Sequence, residues 1–355
     1  MKPCGCISVA MIALTTALLC LQGCESAGPL EHADSDGAAA PELQWPSAPD
    51  PARITYLAAV TVPRDAGIRQ SWLNRIWRYI RGGHQSGITR PLGVHVDADG
   101  RLYVVDSYIQ SVHVFVPENS KYYRFPGKPI EGFVNPVGIT TDLQGRVYVS
   151  DSVAKVVHVF ADHGETYAGA LGATVLERPT GLAYRRSTNE ILVVDTLASE
   201  IVAFDADDLT LRRRVGRNGT EADALHYPTS ISASPDGRVF VTDALNFRIQ
   251  ILDENLRFVG SIGAVGDGPG YFSRPKGVGV DAEGHIYVVD ALFDNVQIFD
   301  ADGNLLLVFG SSGQQPGQFW LPSEIYIDSS DRIYVSDTHN SRVQIFQYHN
   351  ENGSP

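Results

Sequence analysis

The sequence predicts an all-β fold, a six-bladed β-propeller closed by its N-terminal strand and carrying one inserted amphipathic helix. Three observations carry that prediction. The stretch 274–299 holds three short apolar runs divided by turn residues, and it recurs in register five more times. The copies align on a proline (Pro91, Pro136, Pro179, Pro228, Pro275, Pro322), with spacings of 45, 43, 49, 47 and 47 residues. They also align on the acid that closes the second run: Asp106, Asp151, Asp195, Asp243, Asp290 and Asp337. A period of 40 to 50 residues made of short strands gives one four-stranded blade per repeat. The last repeat stops after its third strand, Arg342 to Phe346, while a lone β-branched run, Arg53 to Val62, precedes the first. Pairing those two completes the sixth blade and removes the edges an open array would expose.

The elements follow in order. Residues 1–23 carry Lys2 and an apolar core from Ile7 to Leu21 with no acid. The run is too short to span a bilayer and reads as a secretory signal peptide. Its end, Leu21-Gln22-Gly23-Cys24, resembles the bacterial lipobox, which implies lipidation of Cys24 and attachment to the cell envelope. The four cysteines, Cys4, Cys6, Cys20 and Cys24, all precede the repeats, so disulfides and thiolate metal sites are excluded there. Lys2 is the one charged residue before Cys24, so cleavage takes the net charge from −13 to −14. Such a surface repels nucleic acid, so no nucleic-acid partner is expected, and the membrane is held through acyl chains.

Residues 24–52 shift to Ala, Pro, Ser, Gly and Asp and read as a disordered tether. Its reach is roughly 30 Å. After the closing strand, residues 65–81 place Ile68, Trp72, Leu73, Ile76, Trp77 and Ile80 at helical spacing, with Arg75, Arg78 and Arg81 opposite. Asp65 can cap this helix and Gly82-Gly83 end it. Trp72, Arg75, Trp77 and Arg78 are candidates for docking on a partner or a membrane surface; the alternative is that the apolar face packs on the propeller.

Each repeat, over residues 53–348, then has one plan. Pro-x-Gly opens an innermost strand, a glycine turn follows, the second strand carries an aromatic slot (Tyr103, Tyr148, Phe240, Tyr287, Tyr334), and the third ends in Phe or Leu. Residues 349–355 form a tail. The loops Gly263 to Phe272 and Gly310 to Phe319, the turns Asn246-Phe-Arg248 and Asn340-Ser-Arg342, and the Val-Gln-Ile-Phe endings of the last two repeats resemble the NHL repeat family. The resemblance implies a six-bladed propeller most often used for binding. Ile109, Ala154, Ala198 and Phe293 fill the asparagine slot elsewhere, leaving the geometry of those turns open.

Three groups of residues bear on chemistry. The six repeated aspartates invite a metal ring, but an Asp before a turn accepts the turn's N–H groups, and one per blade is what a structural repeat gives. His113 and His158 occupy a slot where other repeats have Val202, Gln250, Gln297 and Gln344, so they read as structural hydrogen bonders. The innermost strands depart from a small-residue template at Ser230, His95, Glu324 and Tyr326, with Lys276 beside them. His95, Lys276, Glu324 and Tyr326 are therefore the candidate ligand-binding residues near the axis, where the alternative is plain side-chain filling. Enzyme signatures such as His-Glu-x-x-His, Gly-x-Ser-x-Gly and the P-loop are absent. The peptide-amidating lyases are similar in repeat and the gluconolactonases in blade number. His95, His226, His285 and His339 sit in different slots of the repeat and do not match the lyase's zinc ligands residue by residue. The expectation is a lipid-anchored scaffold that binds a protein or peptide on the face carrying the strand-two turns and the interblade loops, with no cofactor. A metal-dependent lyase or lactonase at the axis, using His95, Glu324 and Tyr326, is the alternative.

Overall fold

The computed structural model describes residues 43–66, 87–126 and 134–350. The signal segment, Cys24, most of the expected tether and the body of the expected helix, with Trp72, Arg75, Trp77 and Arg78, lie outside the described residues.

Each repeat forms one antiparallel sheet whose strands run outward from the axis in chain order. Blade 5 is typical, with strands Pro275–Val280, Ile286–Asp290, Asn295–Phe299 and Leu305–Phe309. The innermost strands of the other blades are Pro91–Val96, Pro136–Thr141, Pro179–Arg185, Pro228–Ala233 and Ile325–Ile327. The second strands are apolar on both faces because each blade is sandwiched between two others. Tyr103, Val105 and Val112 of blade 1, for example, pack with Val147, Val149 and Phe160 of blade 2.

The ring closes as the sequence predicts. Ile54–Val60 pairs antiparallel with Arg342–Tyr348, from Ile54 opposite Tyr348 to Val60 opposite Val343, with a bulge between Tyr56 and Ala58. Val60, Val94, Phe115, Tyr334 and Val343 then fill the seam between the last blade and the first. The expected tether, however, ends earlier than residue 52. Gln44–Trp45 forms a fifth strand on Ile54–Thr55, and the Trp45 ring lies 5.8 Å from both Phe309 and Phe346. A Cβ on Gly317 would come within 2.7 Å of the Trp45 and Leu43 side chains, so the glycine loop makes their seat. At the other end of this strand Asp65 lies in a 3₁₀ turn, Pro63–Ala66. Its carboxylate accepts the backbone N–H groups of Thr61 and Val62, so it caps the chain leaving the closing strand.

The six repeated aspartates are fully buried. Each accepts a backbone N–H from the residue two before its blade's proline: Thr89, Val134, Glu177, His226, Ser273 and Trp320. Asp106 also takes the N–H groups of Tyr108 and Ile109 in the following turn. One carboxylate thus ties the start of strand one to the turn after strand two. His113 and His158 serve this network, with His113 Nε2 at 3.3 Å from Asp106 and its Nδ1 at 2.8 Å from the Tyr122 hydroxyl. All six turns share one geometry, with Gln110, Lys155, Ser199, Phe247, Asp294 and Ser341 left-handed at φ between 51° and 61°. The Asn-x-Arg turns differ in their staples, not their backbone slot. Asn246 and Arg248 donate to Asp243 while also bonding carbonyls of the preceding loop, and Asn340 and Arg342 repeat this around Asp337.

Candidate functional site

The innermost strands approach the axis so closely that their third residue must be small. A Cβ on Gly93 would lie 2.6 Å from the Val137 carbonyl oxygen of the next blade, and one on Gly181 would lie 2.7 Å from Ser230 Cα. Blade 6 breaks the rule by using the space its neighbour leaves. The Glu324 carboxylate sits where a Cβ on Gly277 would be, 2.6 Å from that position. It reaches across blade 5 to accept the Ser230 hydroxyl of blade 4 at 3.0 Å, and it accepts the Ile325 N–H at 3.1 Å. Burial raises the Glu324 pKa to about 7 against these two donors and the attraction of Lys276.

Glu324 lies at the inner end of an axial cavity of about 690 Å³. The cavity opens on the turns between strands one and two, at Ala98, Leu143, Pro235 and Ala282, away from the face the sequence reading favoured. His95 and Tyr326 line it together, their rings 4.4 Å apart. His95 Nε2 is 2.9 Å from the Thr141 hydroxyl. Burial lowers the His95 pKa to about 4 despite Asp97, so the imidazole is neutral at physiological pH. Burial also raises the Tyr326 phenol. Three of the four axial candidates are thus brought together, while Lys276 is not in the lining. It sits one residue before Gly277, and burial, then repulsion from Arg274, lowers its pKa. A carboxyl poised near neutrality is suited to exchange a proton; inward of a charged rim that includes Asp97, Asp142, Asp281 and Asp328, the cavity is lined by hydroxyls, His95 and apolar groups.

At the rim, Asp97, Asp99 and His163 could offer three atoms to a metal ion. Arg101 Nη1 lies 3.0 Å from Asp97 and 2.5 Å from Asp99, so a guanidinium supplies the positive charge there.

The opposite face has a different character. Two residues after each buried aspartate, the turn presents Tyr108, Val153, Leu197, Leu245 and Leu292, which are 72%, 58%, 53%, 48% and 59% exposed. The sixth position is His339, 5.6 Å from the exposed Trp320 ring. Arg90 and Arg274, next to their blades' prolines, are exposed on this face, and Arg178 bonds the Tyr227 hydroxyl. None of the three forms an ion pair among the described residues. Sequence reading missed this ring, although its signal was there: five of six turns place a large apolar residue in a slot where polar residues cost nothing.

Comparison with known proteins agrees with this architecture. A sequence model described as the NHL repeat matches residues 319–346, and one described as a 6-bladed beta-propeller matches residues 220–293. No curated protein matches the chain by sequence. Among solved structures, an auxiliary nutrient binding protein from Bacteroides thetaiotaomicron VPI-5482 is similar at TM-score 0.59 and 12% identity, over 75% of this chain and 71% of its own. A virginiamycin B lyase from Staphylococcus aureus is similar at TM-score 0.54 and 14% identity, over 74% and 86%. A gluconolactonase from Xanthomonas campestris is similar at TM-score 0.56 and 18% identity, over 74% and 86%. At such identities the likeness is one of fold.

Proposed function

Because the chain is a six-bladed β-propeller with NHL-type repeats, we propose that it is a binding scaffold for a protein or peptide, held at the cell envelope by lipid on Cys24. The observation that carries this reading is the ring of exposed apolar side chains at one slot of five turns, from Tyr108 to Leu292. Singly exposed apolar residues are ordinary, but a repeated set around one axis is a contact surface. Arg90, Arg178 and Arg274 fall in alternate blades of the same face. A partner presenting apolar side chains flanked by carboxylates complements both features. The nutrient-binding neighbour is compatible with a binding role.

The test uses the full-length protein in its own cells, with a photo-crosslinking residue in place of Tyr108 or, on the other face, in place of Leu143. A defined protein adduct is expected from position 108 and none from position 143. Leu245→Asp with Leu292→Asp removes two anchors and should lower affinity about 100-fold with an unchanged unfolding midpoint. Adducts from position 143 alone would place the partner on the wrong face and end this reading. Lipid attachment has its own measurement: labelled fatty acid should be incorporated by the wild type and not by Cys24→Ser.

A further inference from the structure

The apolar face does not involve the axial cavity, whose chemistry points to a second kind of ligand. We propose that the cavity binds an uncharged, polyhydroxylated small molecule of mono- or disaccharide size. Its volume of about 690 Å³ falls within the range of small-molecule sites, roughly 300–1,000 Å³. Four rim carboxylates have a cationic or imidazole partner four residues on. Asp97 lies 3.0 Å from Arg101, Asp142 2.6 Å from Arg146, Asp281 2.8 Å from His285 and Asp328 2.9 Å from Arg332. Arg186, also at the rim, is exposed to water.

What remains for a ligand is mostly neutral. Thr140 and His95 are more than nine-tenths buried and line the cavity with Ser232 and Tyr326. The hydroxyls of Thr140, Ser232 and Tyr326 have no hydrogen-bond partner among the described residues. His95 has one ring nitrogen beyond its contact with Thr141. Glu324 adds an acceptor at the floor, and Ala183 and Gly279, at the same strand-one slot of the intervening blades, leave apolar strips between these groups. Donors and acceptors aimed several ways between apolar strips fit the hydroxyl edges and C–H faces of a polyol. A highly charged ligand would lose its hydration for little return, since four of the rim carboxylates already have partners.

Saturation-transfer NMR and calorimetry on the full chain, with glucose, maltose and myo-inositol as probes and glucosamine as the charged control, test the proposal. Saturable binding of at least one neutral probe is expected below about 10 mM. Ser232→Phe, which fills the cavity, should abolish it, and Ser232→Ala should weaken it roughly threefold to tenfold with an unchanged unfolding midpoint. The double variant Leu245→Asp with Leu292→Asp should bind the probe as the wild type does, so this site and the apolar face can fail independently. The proposal is overturned if no neutral probe binds, or if Ser232→Phe leaves binding intact. Glucosamine binding more than tenfold tighter than glucose would overturn it too, by showing a cation site on Glu324.

Discussion

At the scale of single residues, two kinds of buried carboxyl have opposite consequences for pH. Burial pushes Asp106 up, but His113 and the N–H groups of Thr89 and Ile109 outweigh it and hold the carboxyl below its usual range. Its contribution to stability is present above the unfolded pKa of about 3.9 and is lost as pH falls through the lower folded value. Glu324 runs the other way. Its folded pKa of about 7 lies above the ordinary 4.5, so its contribution is complete below 4.5 and is lost as pH rises through about 7. Glu324→Gln should therefore gain on the wild type by roughly 2–3 kcal/mol between pH 4.5 and 8, measured by denaturant midpoints across that range. A difference that does not change with pH would place Glu324 in open water. The left-handed turn slot gives a further measurement at this scale. Lys155 holds φ 61°, so Lys155→Gly should be about 1 kcal/mol more stable than Lys155→Ala.

At the scale of elements, the closing strand and its unexpected fifth neighbour decide how the sixth blade is held. Trp45 packs on Phe309 of blade 5 as well as Phe346 of blade 6, so it bridges two sheets. Trp45→Ala should cost about 2–3 kcal/mol in chemical unfolding; an unaffected midpoint would return residues 43–52 to the tether. Turn chemistry was only half legible at this scale. The Asn-x-Arg signature marked two turns, yet all six adopt one left-handed slot, because the buried aspartate fixes the turn through backbone N–H groups in four blades and through the Asn and Arg side chains in the other two.

At the scale of the whole molecule, closure governs both solubility and the separation of the two ends. Removing residues 43–62 would leave Arg342–Tyr348 as an unpaired edge, a template for pairing with another copy. That variant should show concentration-dependent association by light scattering where the full chain shows none. With the ring intact, Glu324 and Ser230 narrow the axis between the apolar face and the cavity. A neutral sugar and a protein partner should then bind without affecting one another, and competition between them would contradict two separate sites.

The repeat period, the prolines and the aspartates were enough to determine the number of blades, the direction of each strand and the latch between the termini. These are consequences of local pattern repeated many times, and each copy reinforces the same answer. The departures at His95, Glu324 and Tyr326 were visible for the same reason, against a template of small residues. Only the tertiary structure decided that Glu324 threads past Gly277 to Ser230, that Lys276 stands outside the cavity, and that Leu43 and Trp45 belong to the fold. Each depends on contacts between residues distant along the chain, whose meeting is set by how the blades curve around the axis. The direction in which the cavity opens belongs to that class as well, because it follows from which end of the axis the larger side chains fill.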